Sequence, residues 1–217
     1  MVSVRSVEIL RFLTLSVILT ATVALADGPG AYRDRQRASE TAQEKSARDA
    51  YDAGVALIAQ TEKQQARPPQ DSVRRSYEQA LARFDEAVRL EPNFYEAHTY
   101  AGYVNRRLGR HDRALEAYAT ALRLKPDYVP AIEYQGEAFL GVDRFTAARF
   151  NYLRLYATAP DQADKLLDAM QAWVGAKKKD PGALAGSELT EYDDWVSQRI
   201  AARLVSDRKN ATGWTGK

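Results

Sequence analysis

Two glutamates in this sequence have a spacing that acid–base catalysis could use. Glu133 and Glu137 are four residues apart, so on a helix they would lie on the same face. Paired carboxylates can acquire different pKa values, and one then acts as the acid while the other acts as the base. Two solvated acids on a polar helix face would give the same pattern, and we adopt that interpretation. A hydrolase that uses Glu133 and Glu137 is kept as the alternative.

Other residue types that commonly do chemistry are sparse. The chain has two histidines, His98 and His111, and no cysteine. Neither histidine has a partner at the spacing of metal ligands, and the sequence contains no glycine-rich phosphate loop or nucleophile elbow. His98 is interpreted as a helix-packing residue and His111 as part of a turn between helices. The sequence therefore predicts no catalytic residue, no metal site and no cofactor.

The overall charge gives no reason to expect a nucleic-acid partner. The formal net charge is only +2 over 217 residues, whereas nucleic-acid-binding domains carry a marked basic patch or stripe. The chain holds 12 tyrosines and 6 phenylalanines, which indicates many aromatic side chains that keep one wet edge. A nucleic-acid partner is therefore not expected.

The N-terminal segment, residues 1–26, has the pattern of a secretory signal peptide. Arg5 and Arg11 precede an apolar run over 12–26, which ends in the small-x-small sequence Ala24-Leu25-Ala26. An uncleaved membrane anchor is the alternative, but this run is shorter than the roughly 20 apolar residues that a spanning helix needs. We expect cleavage and export, with no integral membrane segment afterwards and a periplasmic or secreted location in a bacterial cell envelope.

A 34-residue interval organises the middle of the chain. Pro92, Pro126 and Pro160 are spaced by that interval, and a fixed period of this length is typical of helical repeat proteins. Aligned on the prolines, three further positions repeat their residue class. They are Ala80, Ala114 and Ala148; Phe84, Tyr118 and Tyr152; and Ala87, Ala121 and Leu155.

These repeated positions have the spacing of a packed helix face. Ala80, Phe84 and Ala87 are three or four residues apart, so they lie on one side of a helix. Proline cannot continue a helix interior, because it lacks the N–H group and clashes with the preceding turn. Gly102 and Gly136, which are separated by the same interval as the prolines, weaken an isolated helix, and they indicate places where a second helix crosses at close range.

This pattern resembles the tetratricopeptide repeat family, whose unit is a helix–turn–helix of about 34 residues, over residues 46–178. The tryptophan common early in the unit is replaced by His98 and Ile132. The first unit is irregular, with Pro68 at the glycine position. Its first helix is displaced to the region of Tyr51, Gly54 and Leu57, with an inserted loop at 66–71. The residues that carry the resemblance are Gly102, Ala114, Tyr118, Ala121 and Pro126 in one unit and Gly136, Phe139, Ala148, Tyr152 and Pro160 in the next.

The predicted fold class is all-α: a helix–turn–helix solenoid of about three tetratricopeptide-like units, followed by a C-terminal capping helix and one further helix. Asp112 and Ser187 are expected to cap two of the helices. The last helix either folds back on the array, which we expect, or docks elsewhere. The predicted segments are a polar arm at 27–45, helix pairs at 46–64 with 72–90, 95–108 with 112–125, and 130–141 with 145–158, a capping helix at 161–176, a linker at 179–186, the last helix at 187–206 and a disordered tail at 207–217.

The resemblance also implies a concave groove lined by the first helix of each unit, where peptides bind. The family's best-known groove binds C-terminal carboxylates through Lys, Arg and Asn. The corresponding positions here are mostly tyrosine, so that activity is not implied, and we expect a basic or polar extended segment instead. The predicted groove residues are Tyr51, Glu96, Thr99, Tyr100, Tyr103, Arg106, Glu133, Tyr134 and Glu137.

The function predicted from these observations is an exported, non-catalytic scaffold that binds a partner segment in this groove. Two alternatives involve no groove. One is a structural subunit that self-associates through residues 187–206, and the other is an accessory subunit of an envelope enzyme.

Overall fold

The computed structural model describes residues 38–39, 41–63, 70–182 and 184–212. Throughout these residues the secondary structure is helix and turn without strand, so the predicted all-α fold class is confirmed. The predicted signal peptide, residues 1–26, lies outside the described residues. The helices are α1 (41–63), α2 (Gln70–Leu90), α3 (Tyr95–Arg107), α4 (His111–Leu124), α5 (Val129–Leu140), α6 (Phe145–Thr158), α7 (Pro160–Lys179) and α8 (Gly186–Thr212).

Several predicted boundaries differ from the structure. Residues 41–45, assigned to the polar arm, are helical, because α1 continues upstream of the buried Ala47, which packs near Ala87 and Phe94. Gln70 and the residue after it, assigned to the inserted loop, begin α2, while residues 64–69 lie outside the description. The tail predicted at 207–217 is helical up to residue 212, and the rest of it is not described.

The two predicted helix caps are wrong by one or two positions. Helix α4 begins at His111 after Arg110, and no side chain caps it. Asp112 lies instead in its first turn, where a carboxylate is favoured by the helix dipole. Helix α8 begins before Ser187, and its entry is closed by a hydrogen bond of 3.3 Å from the Ala185 backbone N–H to Glu188 Oε2.

The repeated positions found in the sequence form the core. Helix α3 packs against α4, and α4 in turn packs against α5. Every residue of the three aligned positions is at most 2% exposed, including the aromatic rings. Burial of this degree at each turn of the second helices explains why the 34-residue interval is so clear in the sequence.

Close helix crossings occur at the glycines, as predicted, but the third unit differs from the first two. A Cβ added to Gly54 or Gly102 would lie 2.7 or 2.6 Å from the aromatic ring of the same unit, Phe84 or Tyr118. At Gly136 the close neighbour is a side chain of α7, Leu166, at 2.5 Å. The ring of the third unit, Tyr152, lies instead 5.3 Å from Trp195 of α8.

The C-terminal helices close the array. Helix α7 packs on α5 and α6, and α8 packs on α7. Along α8, one face packs against the cluster of buried residues from α5 to α7, and ion pairs from Arg203 to Asp168 (2.8 Å) and from Lys178 to Asp193 (2.7 Å) hold it there. The last helix therefore folds back on the array. The apolar residues of this face are Leu189, Tyr192, Trp195, Val196 and Ile200.

Candidate partner-binding groove

Four of the predicted groove residues form one continuous aromatic row. The Tyr51 ring lies 5.6 Å from Tyr100, Tyr100 lies 6.3 Å from Tyr103, and Tyr103 lies 5.2 Å from Tyr134. These side chains come from the first helix of each unit, α1, α3 and α5, and all four are half-buried. We call them the tyrosine row. The helices that the sequence predicted to line a common groove therefore do bring these side chains together.

The hydroxyl groups of Tyr51, Tyr103 and Tyr134 stay protonated at physiological pH. Burial raises the pKa of Tyr51 and of Tyr103, and it raises the pKa of Tyr134 to about 12. Tyr103 Oη donates a hydrogen bond to Glu62 Oε1 and accepts one of 3.0 Å from Arg107 Nη1. A row of tyrosine side chains offers flat apolar rings together with hydrogen-bonding edges, which suits contact with a peptide.

Arg106 and Glu137 are engaged with each other beside the row. Their side chains form an ion pair and are 18% and 23% exposed. The Arg106 guanidinium also lies 5.4 Å from the ring centroid of Tyr103 and 5.8 Å from that of Tyr134. Both charges are therefore already compensated within the protein, and they fix the relative positions of α3 and α5.

Glu133 is a buried carboxylate, so the interpretation of two solvated acids is wrong. Its residue is only 7% exposed, and its neighbour in the pair, Glu137, is bound to Arg106. Burial raises the pKa of the Glu133 carboxyl. The Lys165 and Arg106 charges oppose that rise, and the Glu137 charge adds to it. The four-residue spacing therefore holds two glutamates in unlike environments.

Replacing Glu133 by Gln is expected to stabilise the protein at neutral pH. Between the ordinary carboxyl pKa, about 4.3, and the raised folded-state value, the folded protein binds more protons than the unfolded chain does. Stability therefore falls as pH rises through that window, and the amide, which does not ionise, removes this loss. Urea unfolding at a series of pH values measures it. The gain in unfolding free energy from Glu133→Gln should shrink as pH falls. Glu116→Gln, on the exposed side of α4, is the control and should show no such gain. A gain that does not vary with pH, or an equal gain in the control, would contradict the assignment of Glu133 as a buried carboxylate.

Two other predicted groove residues have different environments. Thr99 is fully buried, and its hydroxyl donates a 2.9 Å hydrogen bond to the Tyr95 carbonyl in its own helix. Thr99 is therefore a packing residue, and its assignment to the groove surface is wrong. Glu96 is half-buried near Tyr128. Burial and the Glu96 charge raise the pKa of Tyr128 to about 12, so this acid does lie among the aromatic side chains.

Sequence reasoning missed a second group of residues at this surface. The Tyr95 and Tyr128 rings are 4.8 Å apart, and Lys125 Nζ lies 4.9 Å from the Tyr95 ring centroid. The repeat period could have indicated Tyr128, because it follows Phe94 by one full repeat interval and both precede a first helix. Glu62 had no such signal, since it lies in the irregular first unit.

Both histidines contribute to packing or hydrogen bonding within the fold. His98 Nε2 lies 2.9 Å from the Pro92 carbonyl oxygen, which ties the helix to the preceding turn. His111, predicted in a turn, is the first residue of α4, and its ring packs against Gly141. Across the described ranges, no group of three or more His, Cys, Asp or Glu side chains is arranged to hold a metal ion. Within the same ranges, no helix is both long and apolar enough to cross a membrane.

Successive helix pairs with one buried pattern at a constant interval define a helical repeat protein. The family model of the tetratricopeptide repeat matches residues 73–129, which span α2 to the start of α5. This stretch of the chain therefore matches the tetratricopeptide repeat family, in agreement with the residue pattern.

Several solved structures are similar to this chain. Two crystal structures of MamA are each 22% identical to it and cover 56% and 65% of it, with TM-scores of 0.44 and 0.39. The chain spans 63% and 62% of the length of these two MamA chains. The TPR2B domain of yeast Sti1, in a complex with pHsp70, is 13% identical. That match covers 71% of this chain and 98% of the domain, with a TM-score of 0.40. No curated protein matches the sequence.

Proposed function

We propose that this protein is a non-catalytic scaffold that binds a segment of a partner protein along the tyrosine row. Tetratricopeptide repeats are in general protein–protein interaction modules, and the observation that carries the proposal for this surface is the continuous row of four half-buried tyrosines across α1, α3 and α5. Tyrosine gives large contact area at low cost in conformational entropy and keeps a hydroxyl for hydrogen bonding.

The charges around the row favour a basic or polar extended segment. Two of the arginines beside it are already compensated, Arg106 by Glu137 and Arg107 by Glu62 at 3.7 Å. They are therefore poorly placed to capture a free carboxylate. The tyrosine rings, with Glu96 at their edge, are suited to lysine or arginine side chains, which are attracted to aromatic faces and to carboxylates.

We also propose that the scaffold works in a bacterial cell envelope after export. The support is the pattern of residues 1–26, with a basic start, an apolar run and a small-x-small end. In the exported protein Asp27 would then be the first residue. A periplasmic or secreted scaffold of this kind would hold or assemble other envelope proteins.

Replacing both Tyr103 and Tyr134 by Ala is expected to weaken partner binding by at least about tenfold, the loss of one modest hot spot. The partner is first identified by affinity capture from the periplasmic fraction and mass spectrometry. Its affinity for each variant is then measured by titration with purified proteins. The paired Tyr→Phe variant keeps the rings and should retain most of the affinity.

Two controls make the result specific to the row. Glu116→Ala and Arg123→Ala change exposed residues of α4 and should bind as the wild type does. Circular dichroism verifies that the double Tyr→Ala variant keeps its helicity. If that variant binds the same partner with unchanged affinity, the proposed use of the tyrosine row is wrong.

A further inference from the structure

Glu133 carries a buried carboxylate that does not hold the fold together. The residue is 7% exposed, yet within the described part of the chain its carboxylate forms no hydrogen bond and no ion pair. Burial of a charge without a partner costs stability, which is why Glu133→Gln is expected to stabilise the protein. An ionisable group that is kept at such a cost commonly marks a functional site.

The repeat architecture does not require an acid at this position. One repeat interval upstream of Glu133 the residue is Thr99, and one interval downstream it is Leu167. Both are fully buried, and the Thr99 hydroxyl is hydrogen-bonded to a carbonyl of its own helix. Neutral side chains therefore fill the same position in the neighbouring helices α3 and α7. Packing within the chain does not account for a carboxylate in α5.

The Glu133 carboxylate lies at the α5 end of the tyrosine row. Burial raises the pKa of the Tyr134 hydroxyl, and the charge of the adjacent Glu133 adds to that rise. One turn further along α5, Glu137 binds Arg106, whose guanidinium lies 5.8 Å from the Tyr134 ring centroid. Glu133 and Glu137 share one face of the helix. The unpaired carboxylate is therefore on the side of α5 that the groove uses.

The charges around Glu133 leave its carboxylate able to accept a cation. Arg106 of α3 and Glu137 of α5 neutralise each other in their ion pair. Burial raises the pKa of the Glu133 carboxyl and the Lys165 charge of α7 lowers it, but Lys165 is exposed and free to turn to solvent when a second cation arrives. This end of the row is therefore complementary to an ammonium or guanidinium group, which the Tyr134 ring also attracts.

We propose, on the basis of the binding function assigned above to the tyrosine row, that Glu133 binds a lysine or arginine side chain of the partner segment beside Tyr134. A neutral side chain at the same place would leave the buried carboxylate without a partner, so the site discriminates against it. Only the ionised carboxylate pairs with a cation, and burial raises the pKa of the Glu133 carboxyl. The affinity for a basic segment should therefore rise with pH until Glu133 is fully ionised, and then level off.

Two short peptides test the site on the purified full chain. One alternates alanine with lysine, so the register of binding does not have to be known, and the other alternates alanine with Nε-acetyl-lysine, which has no charge. The wild type should bind the lysine peptide at least about tenfold more tightly at neutral pH. Glu133→Gln should remove that preference without weakening the binding of the acetylated peptide. Glu116→Gln makes the same change of net charge on the exposed side of α4 and should bind as the wild type does.

The titration of the Glu133 carboxyl gives a second measurement on the wild-type chain. Carbon-13 NMR follows this carboxyl, and its resonance is assigned by its absence from the Glu133→Gln spectrum. The lysine peptide should move the titration midpoint to lower pH, because a bound cation favours the ionised form, and the acetylated peptide should leave the midpoint unchanged. The affinity of Glu133→Gln for the lysine peptide should not vary with pH over the same range.

Three outcomes would overturn the assignment of Glu133 as a cation site. They are the absence of a preference for the lysine peptide in the wild type, an undiminished preference in Glu133→Gln, and a titration midpoint that the lysine peptide does not move.

The double Tyr103→Ala, Tyr134→Ala variant, titrated with the same peptides, separates this result from the wider function of the row. If it loses both peptides while Glu133→Gln binds as the wild type does, the row binds the partner and the cation site is wrong. If the double variant binds both peptides with unchanged affinity while Glu133→Gln loses the preference, the cation site is right and the use of the row is wrong.

Discussion

Gly102→Ala is expected to destabilise the protein by about 1–3 kcal/mol, although alanine forms helices better than glycine does. The new Cβ would lie 2.6 Å from Tyr118 Cε1 and 2.8 Å from Cδ1. Tyr118 is fully buried, so its ring has no free space into which it can move. The crossing of α3 and α4 would have to open, and the packing that repeats through the array would be lost locally. Urea unfolding followed by circular dichroism measures the effect.

Two further variants separate the steric clash from the effect of glycine on backbone entropy. One replaces a glycine that has open space around it, and the other combines Gly102→Ala with Tyr118→Ala. Gly175 lies within α7, and an added Cβ there meets no atom within 4 Å. Gly175→Ala should therefore stabilise the protein by about 0.5–1 kcal/mol. With Tyr118→Ala already present, Gly102→Ala should lose its penalty. If Gly102→Ala is as stabilising as Gly175→Ala in the otherwise wild-type chain, the close crossing at Gly102 is wrong.

Phe145→Ala is expected to lower the free energy of unfolding by about 3–5 kcal/mol. Phe145 is 1% exposed and stacks on Tyr192 of α8 with ring centroids 4.2 Å apart. It also lies 5.4 Å from Trp173 and 6.0 Å from Trp195. Its loss would leave a cavity where α6, α7 and α8 meet. Urea unfolding gives the stability, and tryptophan fluorescence of the folded protein should change because two indoles lose a packed neighbour.

Phe150→Ala is the matched control for this prediction. It removes the same side chain from the same helix, but Phe150 is mostly exposed, so stability should change by no more than about 0.5 kcal/mol. The two measurements are made at a concentration where the protein is a single chain. If Phe150→Ala destabilises the protein as strongly as Phe145→Ala, the assignment of the inner and outer faces of α6 is wrong.

The repeat interval predicted the core because burial depends on register, and the resemblance to the tetratricopeptide repeat family placed the members of the tyrosine row in one groove. A fixed period indicates which side chains occupy equivalent positions in successive units. The burial of Ala114 and Tyr118 follows from their positions in the unit alone. Tyr100 and Tyr134 are equivalent by register, the family resemblance placed both in the groove, and ring contacts through Tyr103 connect them.

The environment of Glu133 could not be predicted in this way. Comparing equivalent positions between the units gives no information about α7, because α7 follows the last regular unit. Leu166 of α7 fills the space above Gly136, and Lys165, also on α7, acts on the Glu133 carboxyl. A glycine marks a close approach, but it does not indicate which helix makes it.

The stack of Phe145 on Tyr192 restricts how an array of this type can evolve. A further unit gained by tandem duplication has to lay its first helix against the last pair, on the surface that α7 and α8 occupy. Growth after α6 would therefore expel a helix that is held by aromatic stacking and ion pairs. Lengthened descendants of this gene should consequently carry their additional units upstream of α5, with the closing pair inherited as a block.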